Sequence, residues 1–343
     1  MVDALRISIA MATFNGGRFI QDQLESIAHQ SMVPYELVIT DDGSTDDTLS
    51  IIAEFSRSAP FPVHLHCNET RLGYADNFIK AASLCRGDLI AFSDQDDIWL
   101  RNKLAHCAEY FKNDDVMLAV HSAKVVDEAL KPVGWLFPRI YRDAVRQPLC
   151  KGPGSGLSGF AMMFRANMPL IFNRVRPWGA QDGIVPMIHD QWVTFLALIF
   201  GKTVYIQEPL ALYRRHANTA TNPTQSLLAA SILGSFTTTS ENYRDVAKLN
   251  GHWADYLERE SVNLKGKERD LAKRAVVHYR WISEILLQRS KLYQTDKGML
   301  QKMYVFLNLL AKSGYCAKKN GGLGVRSLIK DAGVGVMGIN LKA

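Results

Sequence analysis

Long apolar runs are missing from this chain. None approaches the roughly 18 residues needed to cross a bilayer, and the nearest candidate, at residues 193–201, is far shorter. The opening stretch, MVDALRISIAMATF, lacks a basic segment followed by a long apolar one and does not read as a signal peptide. Cysteine is scarce. The five present (Cys67, Cys85, Cys107, Cys150 and Cys316) are scattered, odd in number and never spaced as CxxC. That usage suits a reducing compartment and argues against a structural zinc. The expected location is therefore cytoplasmic.

What is present is ample apolar material: 343 residues, 47% hydrophobic, enough for a main domain plus an appendage. The net charge of +6 is unevenly spread. From Ser261 to the end there are 16 Lys and Arg against 5 Asp and Glu, a balance of +11, so the remainder carries −5. An acidic front and a basic tail fit either solvated helix faces or a tail that meets something anionic.

Residues 5–12, the segment ELVITDD, VHLHC at 63–67 and DLIAFS at 88–93 read as strands; residues 18–30, 46–57 and 74–84 read as helices between them. Regular β–α alternation predicts a mostly parallel sheet covered by helices, with ligands at the carboxyl ends of the strands. Polar residues gather at those ends: Thr13, Phe14 and Asn15 after the first strand, Asp41 and Asp42 after the second, Asp94 to Asp97 after the fourth. Ser44 or Thr45 is expected to cap the second helix. Residues 131–156, rich in Pro and Gly, are expected to form a mobile loop. LSGFAMMFRANM and TVYIQEPLALYRRH read as strands and HDQWVTFLALIF as a helix. Beyond Pro223 the pattern is helical, which puts a domain boundary between 222 and 223.

In an extended chain residues two apart share a side, so Asp94 and Asp96 project together while Gln95 and Asp97 face elsewhere. Two close carboxylates repel unless a cation sits with them. Such hard oxygen donors suit Mn²⁺ or Mg²⁺ shared with substrate phosphates. Against this stands an acidic turn before a helix near Asn102. Ile98 and Trp99, which pin the turn to the core, and the polar residues at the other strand ends favour the metal.

The segments ISIAMATFNGGRFIQDQLESI, ELVITDDGSTDDT, SDQDDIWLRNKL and HDQW, in this order, resemble the nucleotide-sugar transferases of glycosyltransferase family 2 over residues 5–216. The DQDDIW form is most similar to bacterial rhamnosyltransferase-like enzymes of cell-surface polysaccharide synthesis. The resemblance implies a GT-A nucleotide-sugar-binding fold, with a catalytic domain at 1–222 and a helical region at 223–343. It implies a nucleoside-diphosphate sugar as donor and a glycan or lipid-linked acceptor. It implies that Thr13, Phe14 and Asn15 line the nucleotide pocket, that Asp42 accepts from the pyrimidine N3–H, and that Arg71 lies near base or phosphates. Asp94 would face ribose or metal, Asp96 would ligate the metal directly, and Asp190 would be the catalytic base. Arg214 and His216, in YRRHANT, would reach the diphosphate and the metal. Asp41 and Asp42 fit a capped strand-to-helix turn equally well, and Asp190 also suits a helix N-cap, with His189 its local competitor as base. Gly159 is expected to permit close backbone approach near sugar or acceptor. Processive synthases of the family carry a Gln-x-x-Arg-Trp signature; here Val277 stands at the Gln position before Arg280 and Trp281.

Two other functions have some footing in the sequence. A nucleotidyltransferase would carry a longer Gly-rich loop with a distal Lys after the first strand, which ATFNGGRF lacks. A polyanion-binding module would rest on the basic tail, but nucleic-acid binding needs basic residues on the folded core, and the front is acidic. Within the tail, Met299, Met303, Phe306, Leu307, Leu310 and Ala311 recur at helical spacing beside Lys302, Lys312, Lys318 and Lys319. Such a helix either rests on an anionic membrane at the inner face of the cell or packs against the catalytic domain or a second copy of the chain.

Overall fold

The first apolar run folds as β1 (Ile7–Thr13), followed by α1 (Ile20–Ala28), β2 (Glu36–Asp41), α2 (Thr48–Ser58), β3 (Val63–Cys67), α3 (Tyr74–Leu84) and β4 (Leu89–Ser93). In this computed structural model the residues described are 5–150, 157–173, 175–179, 185–216, 239–316 and 323–337. Strands β1, β2 and β4 are almost wholly buried, as parallel strands covered on both faces must be. After them come β5 (Ile98–Trp99), α4 (Lys103–Tyr110), β6 (Val116–Val126), β7 (Pro132–Leu136), β8 (Ala144–Arg146), β9 (Met162–Arg165), α5 (His189–Phe200) and β10 (Lys202–Arg214).

Among the described residues these strands form one sheet in the order β3-β2-β1-β4-β9-β6-β10-β5, with β7 beside β6 and β8 beside β10. Strands β3, β2, β1 and β4 run parallel, and β6 is parallel to β10. Strand β9 is antiparallel to both β4 and β6. The segment at 131–150, expected as a loop, instead supplies β7 and β8. Its prolines and glycines are tolerated because both strands are short additions beside longer ones, where few ladder bonds are needed. Residues 151–156 lie outside the described residues.

Three features of register build the functional edge. Thr13 pairs with Asp41, so β1 and β2 end level; β4 ends at Ser93 opposite Met11, two residues earlier, and the turn that follows runs on beside the end of β1, where Gln95 meets Phe14. Because β9 is antiparallel to β4, with Ala91 opposite Met163, the turn at Gly159–Ala161 before β9 returns to that edge. Because β5 is antiparallel to β10, with Ile98 opposite Leu212, the turn before β5 lies beside the residues that follow Tyr213.

The chain divides into two compact units. One comprises Met1–Pro148, Ser155–Arg174 and Ile188–Thr221; the other comprises Leu149–Gly154, Val175–Met187 and Asn222–Ala343. The sequence boundary at 222/223 itself falls outside the described residues. Two segments from before it belong with the second unit. There Trp253 Nε1 donates to Trp178 O at 2.8 Å, Tyr256 Oη donates to Val175 O at 3.1 Å, and the Trp178 ring stacks on His252 with centroids 4.1 Å apart. The second unit contains α6 (Ser240–Ser261), capped by Thr239, then α7 (Gly266–Ser290), α8 (Met299–Ala311) and α9 (Val325–Lys330). Among the described residues no helix is long and apolar enough to cross a membrane. Lys318 and Lys319 lie outside the described residues.

Candidate active site

Thr13 is buried, and its hydroxyl donates to Asp41 Oδ1 at 2.8 Å. Asp41 also accepts from Gly43 N (3.0 Å), Ser44 N (2.8 Å) and Ser44 Oγ (2.6 Å). It is the carboxylate that builds the turn. Asp42 points elsewhere: it accepts from Asn68 Nδ2 (2.7 Å), Leu72 N (2.8 Å) and Gly73 N (2.7 Å). Three of the roughly four acceptor positions of a carboxylate are thus taken, and Asp42 is only 3% exposed. The same loop carries Arg71, whose guanidinium lies 3.8 Å from the centroid of the Phe14 ring. Asn15, at φ 49°, accepts from Thr45 N through Oδ1 at 2.9 Å. Neither Ser44 nor Thr45 caps α2. The position before the helix is Asp47, and Asp46 takes Thr48 N and Oγ1 on its own carboxylate.

Within the turn after β4, Gln95 and Asp97 take separate partners. Gln95 is turned toward β1: Phe14 N donates to its Oε1 at 3.0 Å and its Nε2 donates to Phe14 O at 3.1 Å. Asp97 is fully buried and accepts from Arg214 N at 3.1 Å; its second oxygen has no hydrogen-bond partner among the described residues. Asp94 and Asp96 are half-buried. Asp96 Oδ2 lies 2.7 Å from His216 Nε2, a contact between residues brought together by the β5–β10 pairing. Loss of hydration raises the Asp94 pKa, and the charges of Asp96 and Asp190 raise it further; Lys103 opposes them. Asp94, Asp96 and Asp190 therefore share one electrostatic environment.

Lys103 is a residue that periodicity alone did not single out. It opens α4 and is 1% exposed. Its ammonium donates to Phe160 O at 2.7 Å and lies 3.7 Å from the Trp99 ring centroid. Burial lowers its pKa to about 7. Its signal in the sequence was a charge count: the acidic turn at 94–97 needs a nearby cation, and a Lys follows within two helical turns.

Asp190 sits in the first turn of α5 rather than at its cap, which is Ile188. The strand-like conformation that a cap requires falls two residues earlier. Asp190 Oδ1 accepts from Gln191 N at 2.6 Å. Burial raises its pKa to about 6, opposed by hydrogen bonds from backbone groups, including that of Gly159. His189 is 6% exposed, and its ring is stacked on Phe78 at 4.2 Å with Phe92 at its edge. It is a packing residue. A Cβ on Gly159 would stand 2.5 Å from His189 Nε2, and the stacked ring has nowhere to swing. Gly159→Ala should therefore destabilise the fold by about 1–3 kcal/mol, the cost of overpacking, lower the urea midpoint of unfolding accordingly, and slow any reaction that depends on Asp190. An unchanged midpoint would mean that the ring yields easily.

Arg214 requires a correction. Expected at a diphosphate, its side chain instead turns inward: it is 3% exposed, donates to Asp22 Oδ2 at 2.7 Å and lies 4.6 Å from the Phe19 ring centroid. A guanidinium so enclosed must keep its carboxylate partner, so Arg214 ties β10 to α1.

Among the described residues no group of three or more His, Cys, Asp or Glu is placed to hold a metal ion by itself. The donors present still fit Mn²⁺ or Mg²⁺, because such ions take one or two carboxylates and complete their shells with water and substrate phosphate. The half-buried Asp94 and Asp96 offer hard carboxylate oxygens, with the His216 imidazole in contact with Asp96.

A mostly parallel α/β sheet with an acidic turn at its strand ends is the architecture of the GT-A fold. Residues 8–168 match the family model described as Glycosyl transferase family 2. Over 221 residues it is 25% identical to an uncharacterized glycosyltransferase of Nostoc sp., covering 62% of this chain and 65% of that protein. Over 103 residues it is 42% identical to the dTDP-rhamnosyl transferase RfbG of Shigella flexneri, covering 29% of this chain and 36% of that protein. The chain thus spans less than two thirds of the length of either relative. The crystal structure of S. aureus TarS 1-349 in complex with UDP-GlcNAc superposes with a TM-score of 0.53 at 17% identity, covering 96% of this chain and 91% of that one. At that identity the likeness is one of fold.

Proposed function

We propose that the protein is an inverting, metal-dependent glycosyltransferase that moves a sugar from a nucleoside-diphosphate sugar to a hydroxyl of a growing cell-surface glycan or lipid-linked acceptor. The observation that carries this reading is the gathering of Asp94, Asp96 and Asp190 at one strand-end edge, close enough that both other charges act on Asp94. Thr13, Phe14, Asn15 and Arg71 form the nucleotide pocket, and Asp42 retains an acceptor position for a pyrimidine N3–H. Asp94, Asp96 and His216 would hold Mn²⁺ or Mg²⁺, which when bound neutralises charge on the departing diphosphate. Asp190 takes the proton of the acceptor hydroxyl as that oxygen attacks C1 from the face opposite the diphosphate. The new C–O bond forms as the bond to the diphosphate breaks with its electron pair, so the anomeric centre inverts.

Likeness to a dTDP-rhamnosyl transferase supports rhamnose as the sugar. The test is a panel of nucleotide sugars, dTDP-rhamnose among them, scored with Mn²⁺ or Mg²⁺ for thermal stabilisation, donor consumption and product configuration by NMR. One donor should stabilise the protein and be consumed, giving the opposite anomer. Retention would sink direct displacement. Net synthesis of a sugar nucleotide from sugar phosphate would identify a nucleotidyltransferase instead.

A further inference from the structure

Helix α8 is oriented differently from the expected stripe. It packs inward through Val305 and Leu309, against Ile285, Leu292 and Tyr315, with Phe306 half-buried beside them. At 3.6 residues per turn, Met299, Leu300, Met303, Tyr304, Leu307 and Leu310 fall on the opposite arc, each between 41% and 77% exposed. Lys302 is the single charged residue of the helix, and it lies on the flank near Val305. The outward arc therefore carries no charge, the reverse of a helix that faces water. On α9, Val325 and Ile329, four residues apart, are likewise exposed.

Basic groups border this surface. Lys291 and Lys297 line a shallow groove with Leu300 and Tyr304. Arg326 is exposed on α9, whereas Lys312, which follows α8, is paired with Glu284. Residues 291–343 contain nine Lys and Arg against two acids. One of those acids, Asp331, is fully buried and held by Arg289 through three contacts of 2.7–3.0 Å.

We propose that α8 and α9 form a docking surface for an anionic lipid bilayer. An apolar arc bordered by cations matches the acyl boundary and phosphate layer of such a membrane. A second copy of the chain would bring two positively charged rims together, so charge favours lipid over self-association.

The 343-residue chain is sedimented with vesicles of equal parts phosphatidylcholine and phosphatidylglycerol, without any sugar donor, so the result does not depend on the transferase reading. At low salt it should pellet with the mixed vesicles, remain in solution with pure phosphatidylcholine, and be released as salt rises. Leu307→Glu with Met303→Glu should abolish binding while leaving the circular dichroism spectrum unchanged, since both side chains face outward. Lys297→Glu with Arg326→Glu should weaken partitioning by about fivefold or more per charge. Failure to bind anionic vesicles at low salt would overturn the proposal. So would binding indifferent to these four substitutions, or a concentration-dependent dimer in light scattering that Leu307→Glu dissolves.

Discussion

Asp96→Ala should reduce sugar transfer by about 10³-fold or more while the protein stays folded. A divalent cation at a developing phosphate charge contributes several kcal/mol, and each ~1.36 kcal/mol is tenfold in rate. Asp96 is half-buried on a turn and touches His216 rather than the core, so its removal leaves the packing of the sheet intact. The variant should keep its melting temperature without ligand yet bind nucleotide sugar weakly, as titration calorimetry would record. Asp94→Ala should be damaging but less so, because burial and then the neighbouring charges of Asp96 and Asp190 disfavour its ionised form. Full activity of Asp96→Ala, or of the wild type in excess chelator, would remove the metal from the mechanism.

Asp190→Asn should lower turnover by about 10²–10⁴-fold, the usual contribution of general acid–base assistance, with donor binding nearly unchanged. An amide at 190 still accepts from Gln191 N but has no basicity. The pH profile separates a base from a merely structural group. Burial disfavours the charged carboxylate and lifts its pKa to about 6; below that pH the group is protonated and cannot accept a proton. For the wild type, kcat/KM should therefore fall about tenfold per unit as pH drops below 6. In Asp190→Asn that limb should vanish, leaving a low, flat rate. A variant that keeps near-normal turnover and the acid limb would transfer the role to another base. His189 is a weak heir, because its ring is locked in the aromatic stack with Phe78.

The alternation of strands and helices was legible because each β–α pair carries its own period, and the polar residues at strand ends followed from it. The turn at 94–97 was legible as an acidic strand end, but residues 95 and 96 form a bend, where the two-residue repeat of an extended chain does not apply. Other features depend on partners distant in sequence. Arg214 looks like an exposed basic strand end until β10 is laid beside Asp22 and Phe19. Residues 132–136 and 144–146 look like loop because the strands they join, β6 and β10, supply most of the ordering. Helix α8 has apolar residues around most of its circumference, so periodicity alone could not say whether Val305 or Leu307 faces the core.

The paired hydrogen bonds between Gln95 and the backbone of Phe14 restrict how this sequence can vary. A Cβ on Gly16 would collide with the Gln95 amide, so the missing side chain at one position is the space occupied by the long one at the other. A shorter residue at 95 would free position 16 to change, but would also unfasten the segment after β1 from the acidic turn. Two sites 79 residues apart thus form one unit of inheritance, in which neither can drift alone.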